Sequence, residues 1–266
     1  MLAQISFVHS EYPAACASPN LISANGHEAY PGFSGTGFFA KRGNAVFYIT
    51  ARHCLTKDED GAVVAEAAAR LHVPYALEAK THSTDDYVQF DEVLSAKHEC
   101  DDIPGSYVDV LLLTVRKPAD ASLFNILLKR AVKLPPSGEW LDRFIKHPVA
   151  KDDFELGNRI RFTVIGYPYH GTASNIDYPD GKPVEIVTQA AKFSGYLGKG
   201  VAPDRYKLNE VDWSADLNGF SGSPVIVGFR DSDGDKYALA GMIVTAGPQL
   251  VQFIRVSWIA AILKGA

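Results

Sequence analysis

Cysteine is scarce in this sequence. Cys16, Cys54 and Cys100 are the only three in 266 residues. An odd, small number without a C-x-x-C pair argues against a disulfide framework and against a zinc-type cysteine site. The eight histidines are dispersed, so no metal or cofactor is expected. Basic clusters are missing too. The net charge is −5 and the lysines and arginines are scattered, which argues against nucleic acid as a partner. No apolar run approaches the roughly 18 residues of a membrane span, so no membrane partner is expected. The first ten residues lack a basic n-region and their apolar stretch is broken by polar side chains, unlike a signal peptide. A cytoplasmic location is therefore expected.

What the chain does have is a series of short β-rich runs punctuated by glycine and proline, the pattern of an all-β barrel or sandwich. Gly37–Phe39 leads through a Gly43–Asn44 turn into Ala45–Thr50, a hairpin. Residues 108–115 form a near-continuous apolar run with one acid, Asp109, near its start. Residues 160–166 read as a strand. Residues 224–229 and 237–244 flank a polar loop at 231–235, a second hairpin. Three segments differ. Residues 62–71 are alanine-rich, but Val63 and Val64 also suit a strand. Residues 119–132 place Leu123, Ile126, Leu127 and Ala131 near helical spacing, and residues 257–264 put Trp258, Ile259, Ile262 and Leu263 on one helical face.

Three sites could carry chemistry. In the run Gly219, Phe220, Ser221, Gly222, Ser223, Pro224, a glycine two places before a serine lets the chain turn so that the Gly219 and Ser221 N–H groups point one way. Such a pair can bind the oxyanion formed when a serine hydroxyl attacks a carbonyl. The plainer alternative is a Gly/Ser turn between strands. His53 lies just past a strand end, where an imidazole can be held firmly and still face a cleft; a lone histidine is more often structural or solvated. Asp109 beside a hydrophobic strand is costly to bury without a partner, and a histidine N–H is such a partner. Asp101 and Asp102 compete for that role from a polar loop.

Together these pieces resemble the trypsin-like (chymotrypsin-fold) serine peptidases, in their bacterial and intracellular branch. The resemblance spans roughly residues 30–255. It is carried by Gly35, Thr36, Gly37, Phe38 and Phe39; by Ile49 to Cys54; by Asp109 before Val110 and three leucines; by Gly166, Tyr167 and Pro168; and by Gly219 to Pro224. The order His, Asp, Ser differs from that of subtilisins and α/β-hydrolases.

The resemblance implies two antiparallel six-stranded β-barrels with a short C-terminal helix and an inter-barrel insertion. The first barrel (1–130) would carry His53 and Asp109, a connector would run over 131–155, and the second barrel (156–266) would carry Ser221. It further implies a catalytic triad of His53, Asp109 and Ser221, an oxyanion hole from Gly219 and Ser221, and a protein or peptide substrate.

The departures from the family pattern are informative. Cys54 has no mate in the preceding strand and is expected as a small buried thiol. Phe220 stands where zymogen-activated members carry an aspartate, which argues against that route of activation. Ala215 occupies the base of the implied specificity pocket, so the usual acid is missing there; Asp216 beside it either supplies a charge or caps a turn. The pocket wall is expected from Val244, Thr245, Ala246 and Gly247, whose backbone edge would pair with substrate. The expected activity is a regulated serine endopeptidase of restricted substrates, with a regulatory protein partner. A silent peptide-binding module and an esterase are the alternatives.

Overall fold

The computed structural model describes residues 7–23, 32–57, 60–77, 87–95, 108–136, 139–146, 160–170, 188–200, 202, 204–213, 216–231 and 233–264. Strands β1 (Ala17–Ile22), β2 (Gly32–Arg42), β3 (Ala45–Thr50), β4 (Leu71–His72), β5 (Phe90–Leu94), β6 (Leu111–Val115) and β7 (Val132–Lys133) make one sheet, ordered β4-β1-β2-β3-β6-β5. The short β7 runs parallel to β2. Strands β8 (Arg161–Gly166), β9 (Ala191–Lys199), β10 (Arg205–Asn209), β11 (Pro224–Asp231), β12 (Gly234–Ala246) and β13 (Val251–Arg255) close into a six-stranded antiparallel barrel.

The architecture is thus mostly β, a closed barrel beside a half-barrel. The first half departs from a regular six-stranded barrel. Among the described residues its sheet has seven strands, and its edges meet at the isolated bridge between Pro74 and Tyr87, backed by Val88 N–H donating to Val73 O at 2.8 Å.

Period-2 alternation explains why the central strands read as continuous apolar runs. Phe39, Tyr48, Leu111 and Leu113 point into the half-barrel. Their neighbours Phe38, Phe47, Ile49 and Leu112 point the other way, into a core shared with Phe162, Phe220 and Phe253 of the closed barrel. Both faces of β2, β3 and β6 are therefore buried, and no polar face is left to mark the strand.

Among the described residues four α-helices decorate the sheets. Residues 62–71 resolve as helix rather than strand: α1 (Gly61–Ala69) starts where the Asp60 carboxylate accepts the N–H groups of Ala62 and Val63, and alanine propensity then outweighs the valine pair. Helix α2 (Ala121–Arg130) is capped likewise by Asp120. Helix α3 (Trp140–Ile145) docks on the closed barrel: Phe144 meets Phe229 at 5.2 Å, and Asp142 accepts the Tyr206 hydroxyl at 2.5 Å. Helix α4 (Val256–Ile262) follows β13 directly and buries Val256, Ile259, Ala260 and Ile262. The hairpin loop expected over 231–235 is shorter, because β11 runs to Asp231 and β12 starts at Gly234, whose φ of +108° makes the tight turn. An Arg230–Asp235 ion pair at 2.8 Å lies across it.

Candidate active site

The pairing of β3 with β6 sets Thr50 opposite Leu111. The chain leaves β3 through a 3-10 turn, Arg52–Cys54, and enters β6 from a bend at Asp109. His53 and Asp109 are therefore delivered to the same end of one strand pair. Asp109 Oδ1 accepts the His53 backbone N–H at 3.1 Å, and Oδ2 accepts Nδ1–H at 2.7 Å. An ionised carboxylate only accepts, so Nδ1 keeps its proton and Nε2 is the ring's free acceptor when the imidazole is neutral. The Asp109 hydrogen bond, helped by the Cys54 sulfur and opposed by burial, pushes the His53 pKa up to about 10. The imidazole is 40% exposed, so it still faces solvent.

The loop between β10 and β11 holds Ser221. Its carbonyls are fixed one after another. Leu217 O accepts from Phe220 N, Asn218 O from Tyr169 N, Gly219 O from the Thr36 hydroxyl, Phe220 O from Ser223 N, and Ser221 O from Thr36 N. Each bond pins a peptide plane and so the N–H on its other side. The Gly219 and Ser221 N–H groups themselves donate to no backbone carbonyl among the described residues. This conformation needs φ of +98° at Gly219 and +86° at Gly222. A Cβ at Gly219 would overlap the Tyr167 carbonyl, and one at Gly222 the Thr36 carbonyl.

Ser221 is brought beside the histidine turn. Its carbonyl accepts Thr36 N–H at 2.9 Å and lies 3.5 Å from Cys54 Sγ, one residue past His53. Gly35, with φ of +102°, allows that contact, since a Cβ there would sit 2.9 Å from Cys54 Sγ and 3.2 Å from Ser221 O. Cys54 is a buried free thiol. Phe220 is fully buried, with Phe193 at 4.9 Å and Trp213 at 5.7 Å, so an apolar anchor holds the loop.

Of the substrate-contact candidates, Ala215 lies outside the described residues, as do Asp101 and Asp102. Asp216 caps its own turn: Oδ1 accepts Asn218 N–H at 3.0 Å and Oδ2 accepts Asn218 Nδ2 at 2.6 Å, with His170 at 3.6 Å. On β12, Thr245 and Ala246 pair with Gln252 and Val251 of β13. The β11 pairing of that strand ends at Met242, and only Ile243 continues, bonding to Gly222 N and Ser223 O. Val244 is buried, whereas Thr245, Ala246 and Gly247 are half-buried along an edge that no strand covers among the described residues.

Two contributors escaped the sequence reading. Thr36 was visible only as the middle of a glycine-flanked triplet, and nothing local shows that its hydroxyl crosses to Gly219. Tyr169 donates its hydroxyl to Phe33 O at 3.1 Å and stacks edge-on against the Phe33 ring at 4.8 Å, beside Gly219; Phe33 lies near the start of β2 and Tyr169 in a turn after β8, neither in a distinguishing pattern. Among the described residues no group of three His, Cys, Asp or Glu side chains could hold a metal, and no helix is long and apolar enough to cross a membrane.

No family model matches the sequence, and no curated protein matches it. Among solved structures, the chain is similar to the VesB protease of Vibrio cholerae, with 12% identity and a TM-score of 0.48 over 98% of this chain and 67% of that one.

Proposed function

We propose that this chain is a serine endopeptidase. The observation that carries the reading is the loop in which the Gly219 and Ser221 N–H groups meet no backbone acceptor among the described residues while every carbonyl from Leu217 to Ser221 is pinned, beside the His53–Asp109 pair. Ser221 Oγ attacks the peptide carbonyl and its proton passes to His53 Nε2. The carbonyl oxygen, now an oxyanion, is bound by the Gly219 and Ser221 N–H groups. As the C–N bond breaks, His53 returns the proton to the leaving amine. Water, deprotonated by the same imidazole, then releases the acyl group from Ser221. Asp109 holds the ring in the productive tautomer throughout. The substrate lies extended along the uncovered edge at Val244–Ala246, as an added strand. Asp216 is held by Asn218 at two points, which argues against its serving as the acid that selects a cationic side chain. A restricted set of cytoplasmic protein substrates, and a regulatory partner, complete the reading.

The uncovered β12 edge would equally serve a module that binds peptides by strand addition without cleaving them. A fluorophosphonate probe separates the two. Ser221 labelling in the native protein, absent in Ser221→Ala and in His53→Ala, supports the peptidase. Peptide binding without labelling under any condition overturns it. Cleavage-site profiling on a peptide library, with Ser221→Ala as control, then tests the substrate assignment; turnover of small esters alone would make it an esterase.

A further inference from the structure

Thr36 stands where the two halves of the molecule meet, and all its polar atoms are used. It is fully buried in β2. Its N–H donates to Ser221 O at 2.9 Å, and its hydroxyl donates to Gly219 O at 2.8 Å while accepting Tyr167 N–H at 2.9 Å. Its own carbonyl takes two further bonds, from Asn20 Nδ2 at 3.1 Å and from the Thr50 hydroxyl at 2.9 Å. Asn20 spends its second amide hydrogen on Thr50 Oγ1 at 2.9 Å, and its Oδ1 accepts the Tyr48 hydroxyl at 2.7 Å.

The hydrogens in this chain have one consistent direction. Tyr48 donates to Asn20, Asn20 to Thr50 and Thr36, Thr50 to Thr36 O, and Thr36 to Gly219 and Ser221. Asn20, Tyr48 and Thr50 are all fully buried. Buried polar groups with every partner supplied hold a unique geometry, because any slip leaves one of them unpaired. The path begins inside the half-barrel and ends on the Gly219 and Ser221 carbonyls, whose peptide planes lie on either side of the one that carries the Ser221 N–H. Fixing both neighbours holds that middle plane and seats the Ser221 side chain. Gly222 lets the contact close, since any Cβ there would overlap Thr36 O.

We propose that Thr36, braced by Thr50 and Asn20, is a positioning residue that orients the nucleophile loop from the opposite half of the molecule. It touches no substrate, and it acts through Gly219 and Ser221. The inference rests on the peptidase reading for its catalytic consequence, but the orientation itself is independent of turnover.

The test compares Thr36→Val, which keeps shape and loses the hydroxyl, with Thr36→Ser, which keeps the hydroxyl. Thr36→Val is expected to lower kcat by about 10²-fold with KM changed by less than about threefold, the signature of a misplaced reacting group. Thr36→Ser recovers most of the rate. In the ¹⁵N-labelled protein, Thr36→Val shifts the Gly219, Phe220 and Ser221 amide resonances and speeds hydrogen exchange of the Phe220 amide, which donates to Leu217 O, and Thr36→Ser does neither. Thr50→Val, which removes one brace and spares the Thr36 hydroxyl, is expected to give a smaller effect in the same direction and serves if Thr36→Val does not fold. If the native protein is never labelled at Ser221, the peptidase reading fails and the amide measurements still decide the orientation. Unchanged loop amides in both valine variants, or equal losses in Thr36→Val and Thr36→Ser, would overturn the proposal.

Discussion

The Asp109 carboxylate holds His53 at two points, the backbone N–H at 3.1 Å and the ring Nδ1–H at 2.7 Å. One contact fixes where the residue sits and the other fixes which nitrogen bears the proton. Asn at 109 could still accept one bond but could also present an N–H to Nδ1 and reverse the tautomer. Asp109→Asn is expected to lower kcat by about 10³–10⁴-fold. The pH profile should move as well. The base works when neutral, and Asp109 is the main reason its pKa stands near 10. The rising limb of kcat/KM therefore lies in the alkaline range in the native protein and shifts toward the ordinary value near 6.5 in the variant. A limb that stays in place would sink this assignment.

The same shift links stability to pH. Folded His53 binds its proton more tightly than the unfolded chain does, whose imidazole titrates near 6.5. Its contribution is therefore complete below about 6.5 and is lost as pH rises through about 10. The melting temperature of the native protein should exceed that of His53→Asn most at pH 6, and the gap should narrow by pH 10. A gap that widens with pH would reverse the sign and refute the pairing as drawn. The partial exposure of the ring keeps the effect small.

Two glycines with positive φ give a matched comparison. Gly43 turns the β2–β3 hairpin at φ +58°, and a Cβ there would meet nothing within 4 Å. Gly222 has φ +86° and would drive a Cβ into the Thr36 carbonyl. Gly43→Ala should cost only the left-handed backbone term, about 1–2 kcal/mol, and Gly43→Asn less than that. Gly222→Ala adds a clash with a backbone atom that cannot rotate away, so it should cost more in urea denaturation and abolish fluorophosphonate labelling. Equal midpoints for Gly43→Ala and Gly222→Ala would show that the close approach is not tight.

Residue types with unusual local demands were legible from the sequence. The β2–β3 and β11–β12 hairpins, the strand runs that become β6 and β8, the 43–44 turn, the His53 strand end and the glycines around Ser221 each follow from propensity or backbone freedom. The contact of His53 with Asp109 was an expectation drawn from the cost of burying an acid, and the structure supplies its partner. Long-range polar pairing was not legible. Thr36 and Asn20 reach across 183 and 16 residues to their acceptors, and neither leaves a periodic trace. The edge closure at Pro74 and Tyr87 was hidden for a similar reason, because one bridge imposes no alternation. The choice of helix for α1 turned on a single cap, Asp60, weighed against two valines.

Arg130 shows how much one such long-range group can hold. It ends α2 and is 7% exposed, with its guanidinium inside the half-barrel, 4.8 Å from the Phe39 ring centre. Nε donates to Ala15 O at 2.9 Å, Nη1 to Pro74 O at 2.9 Å and Tyr75 O at 2.6 Å, and Nη2 to Ala17 O at 3.2 Å. Four carbonyls from two separate stretches of backbone thus depend on one planar fork. A lysine carries the same charge, but its compact ammonium cannot span those acceptors or lie flat on the ring. Arg130→Lys should destabilise the protein by about 2–4 kcal/mol, since it strips partners from several buried carbonyls. Below the unfolding transition, Ser221 labelling per folded molecule should be unchanged, because these Arg130 hydrogen bonds go to Ala15, Ala17, Pro74 and Tyr75 and not to the Ser221 loop. Equal urea midpoints for Arg130→Lys and the native protein would mean that charge alone, and not the fork, secures this corner of the sheet.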